Sequence, residues 1–175
     1  MKKYFLLIVL AYLVFAFLRG TGTDYYEIAK NKISEYKPSR KDYVIIVDYR
    51  KTILQDRLYV IDMKTGEKVI ESKVSHAFYS GILSPVFYSN KNGTNMTSKG
   101  CFITMGHDYG QFGYSMVIEG KDMGINNNAK SRAIIFHSTK KMTYPWSKGC
   151  FATPEETNRK IIDLTKNGCL VVVIS

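Results

Sequence analysis

The chain has 175 residues, 45% of them hydrophobic and 23% charged, with 13 Tyr, 9 Phe and 1 Trp. That is the composition of one globular domain with at most a short targeting segment, and it excludes disorder, collagen and long repeat arrays. Lys and Arg outnumber Asp and Glu by 25 to 15, giving a net charge of +10, which favours a polyanionic surface such as an acidic wall polymer or anionic lipid.

Met1-Lys2-Lys3 is a basic start, and residues 4–18 (YFLLIVLAYLVFAFL) are uninterrupted apolar before Arg19 and a polar turn. A charged head on a short apolar run reads as a secretory signal over residues 1–23. With no clean small-residue cleavage site, an uncleaved anchor tethering the chain to the membrane is the alternative. The domain is therefore expected outside the cytoplasm, in the periplasm or on the outer face of the cytoplasmic membrane. Residues 24–40 follow as a short helical stalk or linker, with Tyr26, Ile28, Ile33 and Tyr36 at loosely helical spacing ahead of Pro38.

From residue 41 to 175 the pattern becomes short β-rich runs. Asp42–Asp48 and Arg57–Met63 are strand-like, and Lys64-Thr65-Gly66-Glu67 is turn chemistry leading back into Lys68–Val74, a hairpin. Phe102–Met105, Tyr114–Glu119, Arg132–His137 and Cys169–Ile174 add further strands. One helix is punctuated at both ends, with Thr153 as N-cap, Pro154 in the first position, Glu156 closing a capping box, and Gly168 as the stop. The fold class is mainly β with one or two helices.

The three cysteines, Cys101, Cys150 and Cys169, form no CxxC pair, and His76, His107 and His137 do not cluster with them at zinc-ligand spacing. No metal and no cofactor is expected. The dispersed basic residues match no nucleic-acid signature, so nucleic acid is not an expected partner.

Chemistry concentrates in Arg132–Pro154, RAIIFHSTKKMTYPWSKGCFATP. An apolar strand ends in His137, and thirteen residues later Cys150 follows Ser147-Lys148-Gly149. Thiol catalysis needs a thiolate, a base and donors for an oxyanion. His137 can be the base, Gly149 lets backbone amides approach a carbonyl oxygen, and Lys148 adds positive potential favouring the thiolate. A buried structural cysteine is the competing reading of Cys150. Ser98-Lys99-Gly100-Cys101 repeats the tetrapeptide, but Cys101 opens an apolar strand and reads as core. His107 reads as surface.

These segments together resemble the L,D-transpeptidases of bacterial peptidoglycan, the YkuD-like catalytic domain, in its divergent murein branch. The resemblance covers roughly residues 42–175. It is carried by the strand opening at Asp42, RLYVIDM, VSHAFYSG, the stretch Ser89–Gly100, YGQFGYSMVIEG, Asn126-Asn127-Asn128, RAIIFH and the closing Ser147-Lys148-Gly149-Cys150. It implies a sandwich-like β fold and a cysteine-dependent acyl transfer on peptidoglycan stem peptides. Cys150 would be the nucleophile, His137 the base and Ser138 its orienting residue through the backbone carbonyl. Lys148, Gly149 and Cys150 would supply the oxyanion amides, and His76 and Ser147 would contact substrate. Ser138 stands where the family usually has Gly, Lys148 where it has His or Trp, and the loop from His137 to Cys150 is short. These departures bear on groove shape and substrate choice. An L,D-carboxypeptidase using the same residues is the alternative enzyme, and a non-catalytic wall-binding module the alternative of another class.

Overall fold

The computed structural model describes residues 23–139 and 146–175. The apolar run 4–18, and with it the signal or anchor assignment, lies outside the described residues. Among the described residues no helix is long and apolar enough to cross a membrane.

Helix α1 spans Tyr25–Tyr36. Asp24 caps it by accepting from the Glu27 amide at 3.0 Å, and Lys37, in the left-handed region at φ 47°, ends it one residue before Pro38. It lies flat on a sheet instead of standing off as a stalk. Tyr25 and Ala29 are buried against Val44, Ile46, Leu170 and Val172, and the Tyr25 ring stacks on Tyr59 at 4.4 Å. The Tyr25 hydroxyl donates to Asp48 at 2.9 Å.

Among the described residues the main sheet has eight strands. In chain order these are β1 (Tyr43–Asp48), β2 (Leu58–Asp62), β3 (Lys68–Ser72), β5 (Gly100–Gly110), β6 (Gly113–Gly120), β7 (Ile135–Ser138), β9 (Phe151–Thr153) and β10 (Leu170–Ile174). Their spatial order is β3-β2-β1-β10-β5-β6-β7-β9. Two short strands, β4 (His76–Ala77) and β8 (Trp146–Ser147), pair in parallel as a separate ribbon. The expected hairpin is β2–β3. Strand β1 is apolar at consecutive positions because both of its faces are covered: Val44 and Ile46 meet α1, while Ile45 and Val47 face the larger core. Each such fully buried aliphatic contributes about 1.5–3 kcal/mol over exposure.

The sheet curls, which gives the β fold its two-layered character. Tyr49, just past β1, and Phe151, in β9 at the far end of the strand order, stack at 6.4 Å with planes 9° apart. Phe136 and Phe102 close on the same ring. Helix α2 (Glu155–Thr165) drives Ile161 and Ile162 into this core.

The capping box expected at Thr153 does not form. Thr153 is the last residue of β9, Pro154 is the boundary residue, and the Thr153 hydroxyl turns to Asn158 at 3.4 Å. Pairing with β7 keeps Thr153 extended, so its side chain points into the core. At the other end Arg40 satisfies the Lys166 and Leu164 carbonyls at 2.6 and 2.8 Å. Gly168, at φ 112°, turns the chain into β10, and a Cβ there would collide with Ser39 Oγ. Cys101 and Cys169 are buried, and all three cysteines are free.

Candidate active site

Strands β7 and β9 run side by side in parallel, His137 opposite Ala152. That pairing brings the end of one strand beside the residue that leads into the other, so His137 and Cys150 open onto one cavity of about 730 Å³. Among the described residues, Phe78, Tyr79, Asn95, Phe112, Ser147 and Lys148 also line it.

Cys150 is held by its own backbone. Its carbonyl accepts from Ser147 Oγ at 2.8 Å and Ser75 Oγ at 3.2 Å, and Ser75 Oγ in turn accepts from the Ala152 amide at 3.0 Å. The preceding Gly149 sits at φ 121°, where a Cβ would stand 2.7 Å from Ile134 Cδ1 and 3.0 Å from Met96 O. The Gly149 N–H donates to Ser147 Oγ at 3.1 Å. It is therefore turned inward, and the amides of Lys148 and Cys150 are the expected oxyanion donors that remain. Ser147 acts here as a brace of the turn at the cavity wall.

The Cys150 thiol donates to Ala133 O at 3.5 Å. Burial pushes its pKa up, while a hydrogen bond from the Ile135 amide and the Arg132 charge pull it back. The described cation whose charge acts on the sulfur is thus Arg132; the Lys148 side chain expected in that role is exposed at the cavity.

His137 and the Ser138 carbonyl are 2.9 Å apart at Nδ1. A carbonyl only accepts, so Nδ1 carries the hydrogen and Nε2 is left as the basic nitrogen. Burial pulls the His137 pKa down, and the Ser138 bond opposes it, so the ring is neutral at pH 7. Phe112, at the β5–β6 turn, stacks on the imidazole at 4.6 Å. The Ser138 side chain faces a second, smaller cavity of about 240 Å³ with Tyr109, Glu155 and Arg159.

His76 holds a different post from the substrate contact expected of it. It is fully buried, Arg57 Nη2 donates to its Nδ1 at 2.8 Å, and its Nε2 donates to Gly81 O at 2.9 Å. No ring nitrogen is left for a ligand. Burial, with the adjacent Arg57 charge, drops its pKa to about 4. It locks the turn from which Phe78 and Tyr79, two and three residues on, reach the cavity. Arg57, also fully buried, donates twice to Val74 O at 3.0 and 2.7 Å.

Phe112 and Arg132 carried no local signal in the sequence, since their partners come from distant segments. His107 packs against Tyr109 and Tyr114 at the far, exposed end of β5. Among the described residues no group of three or more His, Cys, Asp or Glu is placed to hold a metal ion.

The family model for the L,D-transpeptidase catalytic domain matches residues 20–174. Among curated proteins no sequence match is found. Solved structures similar to this chain include the helical cell shape determining protein Pgp2 of Campylobacter jejuni, at 12% identity and TM-score 0.52, covering 85% of this chain and 53% of that one. An L,D-transpeptidase from Mycobacterium smegmatis is 12% identical with TM-score 0.49, covering 77% and 59%. One from Stackebrandtia nassauensis is 17% identical with TM-score 0.48, covering 78% and 57%. The chain thus spans between about half and three fifths of the length of these structures.

Proposed function

Because this chain belongs to the L,D-transpeptidase catalytic domain family, we propose that it transfers acyl groups between peptidoglycan stem peptides through a thioester on Cys150. The observation that carries this reading is the single cavity shared by the Cys150 thiol and a His137 whose basic Nε2 is set by the Ser138 carbonyl. Nε2 of His137 takes the Cys150 thiol proton, and the thiolate attacks the carbonyl joining the L-centre of the third stem residue to the terminal D-alanine. The Lys148 and Cys150 amides bear the oxyanion. The C–N bond breaks, His137 gives the departing amine its proton, and a thioester remains. An amine of a neighbouring stem then attacks, His137 takes its proton, and the thiolate leaves, forming the cross-link. Three aromatic rings, Phe78, Tyr79 and Phe112, wall the cavity and limit the access of competing water.

The assay incubates the purified chain and its Cys150→Ala variant with disaccharide-tetrapeptide fragments, weighing products and intact protein by mass spectrometry. Cross-linked dimers and a covalent adduct in wild type alone are expected. Trimmed tripeptides without dimers would make the protein an L,D-carboxypeptidase. Unchanged substrate with no adduct would leave a wall-binding module. We further place the domain outside the cytoplasmic membrane, residues 1–23 serving as signal or anchor, on the sequence pattern alone. Cell fractionation and the mass of the mature N-terminus decide that point.

A further inference from the structure

Arg132 carries a full positive charge up to Gly149, beside this site, and among the described residues no carboxylate answers it. Its Nη1 donates to Ser89 O at 2.5 Å and to Ser98 Oγ at 2.6 Å, and its Nη2 donates to Met96 O at 2.6 Å. All three acceptors are neutral, and the ion pairs among the described residues do not include it. Dipoles of this kind solvate a part-buried cation and fix its position, but they leave its charge unbalanced.

A group able to become an anion, Cys150, stands next to the residue that Arg132 approaches. Nη2 lies 3.6 Å from the point a Cβ on the adjoining Gly149 would occupy. Arg132 also immediately precedes Ala133, which takes the left-handed conformation at φ 53° and accepts the thiol hydrogen on its carbonyl. Among the described residues, the charged or titratable groups around the sulfur are Arg132, His137 on the same cavity, Lys148 on its own loop, and the Tyr49 hydroxyl from the end of β1, which burial keeps protonated. No Asp or Glu among the described residues lines the cavity. His137 is a poor standing partner for a thiolate, because its burial favours the neutral ring. A guanidinium stays charged at every physiological pH.

Building on the reading of Cys150 as the nucleophile, we infer that Arg132 is the fixed counter-charge of the Cys150 thiolate. The guanidinium and the Ile135 amide balance the ionised sulfur, and His137 is left to move protons between the reacting amines. Only the S–H bond breaks in forming this state, its proton passing to Nε2 of His137 or to water. Gly149 belongs to the same device, since any side chain there would press on Met96 O, the acceptor that anchors Nη2. Arg132 is a positioning residue in this scheme, acting on the substrate through the sulfur.

The test is the pH profile of Cys150 alkylation by iodoacetamide, read at that residue by peptide mass spectrometry in the full chain. Arg132→Gln should raise the midpoint by about one pH unit or more, Arg132→Lys should restore most of the shift, and His137→Ala should leave the midpoint where it is in wild type. A folded Arg132→Gln protein with the wild-type midpoint overturns the proposal, and so does a His137→Ala protein whose midpoint rises by a unit. Should Arg132→Gln fail to fold, the His137→Ala profile decides on those same terms. Alkylation needs no stem peptide, so the two readings fail separately. A thiol whose midpoint depends on Arg132 but which forms no acyl adduct defeats the acyl-transfer reading alone. An adduct-forming chain indifferent to Arg132 defeats only the pairing.

Discussion

Replacing Gly149 by Ala asks how tightly the turn before Cys150 is built. The residue sits at φ 121°, where an L side chain is strained by about 1–3 kcal/mol. The added methyl would also stand 2.7 Å from Ile134 Cδ1 and 3.0 Å from Met96 O. Ile134 is buried and the Met96 carbonyl is tied to Arg132, so neither yields freely, and overpacking of this kind costs about 1–3 kcal/mol more. A loss of about 4 kcal/mol lowers Tm by roughly 8–16 °C in a domain of this size. Urea unfolding followed by tyrosine fluorescence, with calorimetry for Tm, measures it. A Gly149→Ala protein within about 0.5 kcal/mol of wild type would refute this account of the turn, because surface-like tolerance has that size.

His76 makes stability depend on acid. Its folded pKa of about 4 lies below the ordinary 6.5, so the unfolded chain binds the proton first. Stability is full above pH 6.5 and falls by about 2–3 kcal/mol as pH drops toward 4, and His76→Gln should remove that slope from urea titrations run across the range. Ser75→Ala strands the buried Ala152 amide and withdraws one donor from the Cys150 carbonyl, so unfolding free energy should fall by about 1–3 kcal/mol. Phe112→Ala takes away a half-exposed ring stacked on His137. The imidazole, less buried, should then titrate closer to the ordinary histidine value in NMR, with little change in unfolding free energy.

What could be read from the chain was what depends on neighbours in sequence. The apolar run ending in His137, the Gly before Cys150 and the turn residues at Lys64–Glu67 each carry their reason within a few positions. Features that depend on distant partners could not be read. Arg132 acquires its place from Ser89, Met96 and Ser98, more than thirty residues upstream. His76 lay in the right neighbourhood, since β4 pairs with β8 directly ahead of Cys150. A two-residue strand shows no alternation, however, so nothing in the sequence said that its histidine would face inward. Thr153 failed as a cap for the opposite reason. The local pattern was complete, but the ladder to β7 claimed the residue first.

The position of β10 has a consequence for how the chain must be assembled. Residues Leu170–Ile174 sit in the middle of the sheet, parallel to β1 on one side and antiparallel to β5 on the other. Before they arrive, the two halves of the sheet have no ladder between them, and each presents a valine- and isoleucine-rich or aromatic edge ready to pair with another chain. Among the described strands it is the last in chain order. The native topology therefore waits on a contact between residues some 125 positions apart, which makes the joining of the two halves a slow event in folding. Until that contact forms, these open edges are the part of the folding chain most exposed to pairing with a neighbour.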